Sequence, residues 1–357
     1  MKDLHGGNIY KFQRKGKNNI LDYSSNINPL GVPQKFIDIA KENFDKLVNY
    51  PDPYYIELRK KIAEFNSLDM DNIIVGNGAT EILFLYIRAL KPKKVLILAP
   101  CFAEYERALK SVSAKIEYFE LKESDNFYPN IINLKKEIEN NNYDLLLFCN
   151  PNNPTGQFIK LEDIKEIIEN CENKNTKIFI DEAFIEFIEN WKEKTVSLLK
   201  NKKIFIMRAF TKFFAIPGLR LGYGIGFDEE ILKKMWEEKE PWTVNTFANL
   251  AGLTMLDDKE YIEKTEKWIL EEKKIIYKEL QKFQYIKTYK TECNFILIKL
   301  SNITSESLRE KMIEKNILIR DASNFKFLDY HFVRLAIKDR KSNLKMLETL
   351  TEFVEYK

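Results

Sequence analysis

Between residues 73 and 209 the chain alternates short apolar runs with helix-like stretches. Ile73–Val75, Val95–Ala99, Asp144–Cys149, Lys177–Asp181 and Lys203–Met207 are apolar runs bounded by polar or turn residues. Runs without polar alternation suit parallel strands buried on both faces. Glu81–Leu90, Phe102–Ser111, Leu134–Asn140 and Leu161–Asn170 lie between them with helical apolar spacing. The alternation predicts an open α/β sheet with right-handed crossovers. Leu221–Gly226 could add another strand, an antiparallel setting included.

The flanks read differently. Residues 1–45 are irregular and punctuated by Gly6, Gly7, Gly16, Pro29, Gly31 and Pro33. Within them Gln34 opens a short helix that extends to Leu47. Tyr50–Tyr55 reads as a turn, and Glu57–Asn66 as a helix. One long helix is predicted from about Thr246 to Phe283. Its apolar stripe is carried by Tyr261, Ile262, Trp268, Ile269, Ile275 and Ile276. The last stretch reads as α+β, with strands at Asn294–Leu300 and His331–Ile337 and helices at Ser305–Lys315 and Asn343–Val354. We expect an N-terminal arm (1–45), a large α/β domain (46–285) and a small C-terminal α+β domain (286–357). The arm packs with the small domain or reaches a partner chain.

Composition removes several function classes. The chain has 357 residues, 45% hydrophobic and 31% charged, with a formal net charge of +3. That is a globular composition, and it leaves no basic footprint for nucleic acid or an anionic membrane. No apolar run approaches the length of a membrane span. Met1–Asn8 is polar, so no secretory signal is expected. Cys101, Cys149, Cys171 and Cys293 form no C-x-x-C pair, and the two histidines, His5 and His331, lie far apart. No metal site is expected, and a reduced, cytoplasmic setting is.

Four segments carry candidate chemistry. Gly76–Thr80 (GNGAT) follows a predicted strand and opens a helix, where free N–H groups suit a phosphate; a plain strand-to-helix turn fits equally. Asn150–Gly156 (NPNNPTG) forces a tight turn at a strand's carboxyl end, the ligand-binding edge of open α/β sheets; an ordinary loop is the other reading. Asp181 ends a buried strand, where a carboxylate needs a cationic partner or serves as a helix cap. Lys212 sits in the apolar, aromatic segment Arg208–Gly222 (RAFTKFFAIPGLRLG), with Arg220 after the Pro217–Gly218 bend. A desolvated lysine amine is nucleophilic enough for imine chemistry, whereas a lone lysine more often snorkels to the surface.

Taken together, the segments ask for a ligand with a ring cation, a ring oxygen, an aldehyde and a phosphate. In order and spacing they resemble the fold-type I pyridoxal-phosphate enzymes of the class I/II aminotransferase family, over nearly the whole chain. The resemblance implies a large, mostly parallel sheet domain with a smaller α+β domain, and pyridoxal 5'-phosphate as cofactor. It implies that Lys212 forms the imine, Asp181 pairs with the pyridinium nitrogen, Asn153 bonds the ring oxygen and Phe102 stacks on the ring. Gly78, Ala79, Thr80, Thr211 and Arg220 would hold the phosphate. Tyr50 would reach the neighbouring subunit's phosphate, which implies a homodimer with shared active sites. Arg334, in VRLA, would bind the substrate α-carboxylate. Two positions depart from the common pattern: Phe184 stands where many relatives have Tyr, and Ala209 where a Ser often precedes the lysine.

The arm narrows the reaction. His5–Asn8 (HGGN) followed by Asp22–Pro33 (DYSSNINPLGVP) resembles the arm of the threonine-phosphate decarboxylases of cobalamin biosynthesis. Glu240–Asn245 (EPWTVN), Asp181–Phe184 (DEAF) and Ile319–Phe325 (IRDASNF) are similar to that group too. The resemblance implies that His5, Gly6, Asn26 and Arg320 grip a substrate phosphate, with Asn153 also reaching the substrate. A phosphorylated amino acid carries a carboxylate and a phosphate, and Arg334 and Arg320 are two cationic anchors for them. The expected reaction is decarboxylation of O-phospho-L-threonine to 1-amino-2-propanol phosphate. The alternative is a histidinol-phosphate-type aminotransferase. The chain stops at Lys357 with no Cys/His-rich extension, so no second activity is expected.

Overall fold

The computed structural model of the protein describes residues 5–356. Seven strands form the large sheet: β1 (Ile73–Asn77), β2 (Lys94–Ala99), β3 (Lys115–Glu120), β4 (Leu145–Cys149), β5 (Lys177–Asp181), β6 (Ile204–Ala209) and β7 (Leu221–Gly226). Their spatial order is β1-β7-β6-β5-β4-β2-β3. Only β7 runs against its neighbours; the other pairings are parallel. Every residue of β4 is buried, as are Ile178 to Asp181 of β5 and all of β6. Each such Leu, Ile or Phe contributes about 1.5–3 kcal/mol of burial, which is why these strands read as unbroken apolar runs. Strand β3 did not read that way. It is one of the two edge strands and half-exposed, and Lys115, Glu117 and Glu120 interrupt its apolar residues.

Helices cover both faces. Leu134 and Ile138 pack into one core layer with Ile164, Ile167 and Ile168, while Leu83, Tyr86 and Ile87 pack into the other. A four-stranded antiparallel sheet builds the small unit: β8 (Ile286–Thr288), β9 (Phe295–Leu300), β10 (Arg320–Asp321) and β11 (Phe332–Ala336), in the order β10-β11-β9-β8. The arm joins it. Leu21–Asp22 pairs in parallel with Ile317–Leu318, and the Ala336 N–H donates to the Tyr23 carbonyl at 2.9 Å.

Two expectations need correction. The predicted helix from Thr246 to Phe283 is two helices, Thr246–Met255 and Lys259–Leu280. Asp258 divides them because its carboxylate accepts the Tyr261 N–H and caps the second helix. The helix opened by Gln34 ends at Lys41, and Phe44–Val48 continues as a separate 3-10 turn.

Candidate active site

The carboxyl edge of the parallel strands is where the four segments meet. Beyond β1, Gly78 has φ +77°, and a Cβ there would lie 2.4 Å from Arg220 Nη2. Glycine therefore lets Arg220 come beside the turn. Helix Ala79–Leu90 starts next with no side-chain cap, so its first N–H groups face the same space. After β2 comes Phe102, after β4 comes Asn153, and Asp181 closes β5. A single helical turn, Phe210–Phe213, follows β6 and carries Lys212.

These residues line one cavity of about 560 Å3. Ala79, Thr80, Phe102, Asn153, Asp181, Thr211, Lys212 and Arg220 face it from the large sheet. His5, Gly6 and Asn26 face it from the arm, and Arg320 and Arg334 from the small sheet. Two expected residues do not line it: Gly78 borders it through Arg220, and Tyr50 lies on the surface, 80% exposed, against Trp242.

The arm and the lysine-bearing turn are bolted together. The Asn28 N–H donates to the Lys212 carbonyl at 3.1 Å. Its amide NH2 donates to the Phe213 carbonyl and to Thr265 Oγ1, each at 2.8 Å. Asp22 accepts Ser24 Oγ at 2.6 Å and Ser25 Oγ at 2.5 Å, and Ser24 Oγ in turn accepts the Gly7 N–H at 2.8 Å. Gly6 lies so close to Ser24 that a Cβ would sit 1.9 Å from its carbonyl oxygen. The HGG and SSN segments are thus one packed unit, which explains why both need small residues.

Charge is concentrated and partly unpaired. Lys212 is pulled down to about 8 by burial and by repulsion from Arg334 and Arg220, with Asp181 opposing. Burial pushes Asp181 up to about 6. No cationic side chain among the described residues bonds Asp181. Its oxygens accept instead from the Tyr105 hydroxyl at 2.5 Å and the Ala183 N–H at 2.9 Å. Arg334 Nη1 donates to Asn153 Oδ1 at 2.5 Å and Nη2 to the Ser24 carbonyl at 2.7 Å. Its Nε is buried without a partner, as is Asn26 Oδ1. Burial and the neighbouring Arg320 bring Arg334 down to about 9.

His5 has a second engagement that its residue type alone did not reveal. Its Nε2 lies 2.8 Å from Glu104 Oε1, and its ring lies 5.4 Å from that of Phe102. Sequence reasoning also missed Tyr105 and Asn28. The i,i+3 spacing of Phe102 and Tyr105 at a helix start was the available signal for the former. Nothing local marked the latter, whose partners are 185 and 237 residues away. Phe184, which replaces the common Tyr, packs edge-on against Phe295 at 5.1 Å.

The family model for class I and II aminotransferases matches residues 18–350. The chain belongs to this family. Within it, the chain is 45% identical to a provisionally named threonine-phosphate decarboxylase of Caldanaerobacter subterraneus, over 98% of this chain and 94% of that protein. It is 34% identical to the threonine-phosphate decarboxylase of Salmonella typhimurium, over 97% and 95%. Among solved structures, the histidinol-phosphate aminotransferase of Clostridium acetobutylicum superposes with a TM-score of 0.88 at 38% identity, covering 93% of this chain and 98% of that one.

Class I and II aminotransferases depend on pyridoxal phosphate, and the cavity has the donor set for it. The uncapped helix start with Arg220 suits the phosphate. A ring nitrogen that carries a proton would give the Asp181 carboxylate the cation it lacks. With Asn153 Oδ1 taken by Arg334, the Asn153 amide NH2 is the group left to donate to a ring oxygen. Lys212, with its lowered proton affinity, is suited to the aldehyde.

Proposed function

We propose that this protein is a pyridoxal-phosphate-dependent lyase that decarboxylates O-phospho-L-threonine to 1-amino-2-propanol phosphate. The observation that carries the reading is the placement of Arg320 and Arg334 as cross-strand partners facing the Lys212 cavity. Two adjacent guanidiniums match a substrate with two anionic groups. Arg334, with its buried, unpartnered Nε, is the carboxylate anchor. Arg320, with the arm residues His5, Gly6 and Asn26, is the phosphate anchor. The decarboxylase names of the two relatives support the same substrate.

Bound pyridoxal phosphate supplies an aldehyde for the substrate amine and a ring that accepts the electron pair left when carbon dioxide departs. The chain's own residues do the rest. Asp181 holds the proton at the ring nitrogen, Phe102 covers one ring face, and Asn153 fixes the ring oxygen. Holding both ends of the substrate fixes its rotation about the Cα–N bond, which determines the bond that breaks. Lys212 Nζ, whose hold on a proton is weakened by burial, delivers the proton that replaces the carboxylate at Cα.

We infer a homodimer. Phe44, Leu47, Val48, Tyr50 and Tyr54 are 53–86% exposed on one stretch of chain beside Trp242, an apolar surface of the kind that a second subunit covers. No helix among the described residues is long and apolar enough to cross a membrane. The four free thiols fit a reducing, cytoplasmic setting.

The test is product analysis. Incubated with pyridoxal phosphate and O-phospho-L-threonine, the protein should release carbon dioxide and 1-amino-2-propanol phosphate with no 2-oxoacid present. Turnover of histidinol phosphate that requires a 2-oxoacid, without carbon dioxide release, would establish the aminotransferase reading instead.

A further inference from the structure

Tyr105 belongs to the helix Glu104–Lys110 and has no exposed surface. Its hydroxyl donates to Asp181 Oδ2 at 2.5 Å, while the Ala183 N–H donates to Oδ1 at 2.9 Å. Its ring meets that of Phe102 edge-on at 5.7 Å, so one short segment supplies both the ring-facing aromatic and the carboxylate's donor. Asp181 is also faced by the Cys149 thiol from β4, by Lys212 from the turn after β6, and by Glu182 and Glu186 from the chain that follows β5. Arg208, the nearby buried cation, is committed to Glu182 at 2.8 Å.

A buried carboxylate set against a ring nitrogen shares one proton with it. Burial favours the neutral pair, with acid and unprotonated ring, because it penalises both charges. A hydrogen bond donated into the carboxylate favours the ion pair. Burial pushes Asp181 up to about 6, toward the neutral acid, and the Tyr105 hydrogen bond opposes that push. Burial and the Asp181 charge push the Tyr105 phenol well above its ordinary range, so it remains protonated as a donor.

We propose that Tyr105 is a positioning residue that keeps the Asp181 carboxylate ionised and the proton on the ring nitrogen of bound pyridoxal phosphate. The proton count is unchanged: the phenol keeps its hydrogen, the nitrogen holds the shared one, and no electrons move between groups. The proposal rests on the reading of Asp181 as the ring-nitrogen partner and extends it to the residue behind the carboxylate.

The experiment is nitrogen NMR of holoenzyme loaded with pyridoxal phosphate labelled with 15N in the ring. Wild type should show a protonated ring nitrogen. Tyr105→Phe, which keeps the ring and removes the hydroxyl, should move the signal toward neutral pyridine. The expected change in proton partition is about ten- to a hundredfold, the range of one hydrogen bond to a charged group. If Tyr105→Phe fails to fold, difluorotyrosine placed at position 105 gives the reading. Its more acidic phenol is a stronger donor, so the ring nitrogen should hold its proton to higher pH. A wild-type-like signal in Tyr105→Phe, or an unmoved titration with difluorotyrosine, overturns the role of Tyr105 and leaves the Asp181 assignment standing. An unprotonated ring nitrogen in the wild type overturns both.

Discussion

Arg320 and Arg334 sit directly opposite each other on adjacent antiparallel strands. Like charges at such positions repel, and burial deepens the cost. Arg320 is partly relieved by Asn324 Oδ1 at 2.8 Å and by the Phe325 ring 5.1 Å from its guanidinium carbon. Among the described residues, Arg334 donates its hydrogen bonds to neutral acceptors, Asn153 Oδ1 and the Ser24 carbonyl. An anion between them offsets this repulsion. Inorganic phosphate should therefore raise the thermal midpoint of the protein, and O-phospho-L-threonine should raise it at lower concentration. In Arg320→Gln the phosphate-dependent part should largely disappear; an undiminished response there would place the anion elsewhere.

Arg334 Nη1 and Asn153 Oδ1 couple the proposed carboxylate anchor to the proposed ring-oxygen donor. Arg334→Gln should raise KM for the phosphorylated amino acid about 30-fold or more, the effect of a lost charged contact of about 2 kcal/mol or more. Combined with Asn153→Ala, the losses should depart from additivity by about 0.5–3 kcal/mol in kcat/KM. Strict additivity would show that the 2.5 Å contact has no functional weight.

Lys212 makes a pH prediction with a definite sign. Its amine sits at about 8, lower than an ordinary lysine, because burial, Arg334 and Arg220 all disfavour the charged form. Only the neutral amine attacks an aldehyde. Cofactor capture by the apoprotein should accelerate about tenfold per pH unit below 8 and level off above it. Stopped-flow absorbance between roughly pH 6 and 10 reads this directly, since an unshifted lysine would keep accelerating toward about 10.4. Arg334→Gln removes one repelling charge and should move the plateau to higher pH.

The large sheet was legible because its strands are buried on both faces, so burial alone wrote them as apolar runs. The edge strand Lys115–Glu120 was not, since one side needs no apolar residues. Segments at the carboxyl edge announced themselves by turn chemistry: GNGAT, NPNNPTG and the lysine turn. What could not be read was pairing at long range. The Tyr105–Asp181 bond spans 76 residues and Arg334–Asn153 spans 181, and only the fold brings them together. The helix break at Asp258 was missed because an aspartate can cap a helix or sit on its exposed face, and spacing alone does not distinguish the two.

Gly6 separates arm function from cofactor binding. An added methyl would meet the Ser24 carbonyl at 1.9 Å, so Gly6→Ala must displace the arm. KM for O-phospho-L-threonine should rise about tenfold or more, matching a lost contact of about 1.5 kcal/mol. Absorbance of the bound cofactor should stay as in wild type. A changed spectrum with an unchanged KM would reverse the assignment of the arm to the substrate side.

The central claim is the covalent attachment of pyridoxal phosphate to the Lys212 amine. Borohydride reduction of the holoenzyme, followed by peptide mass spectrometry, tests it most directly. The account predicts a reduced pyridoxyl-phosphate adduct on the peptide carrying Lys212 and none in Lys212→Ala. An adduct on another lysine, or no adduct in the wild type, would contradict it.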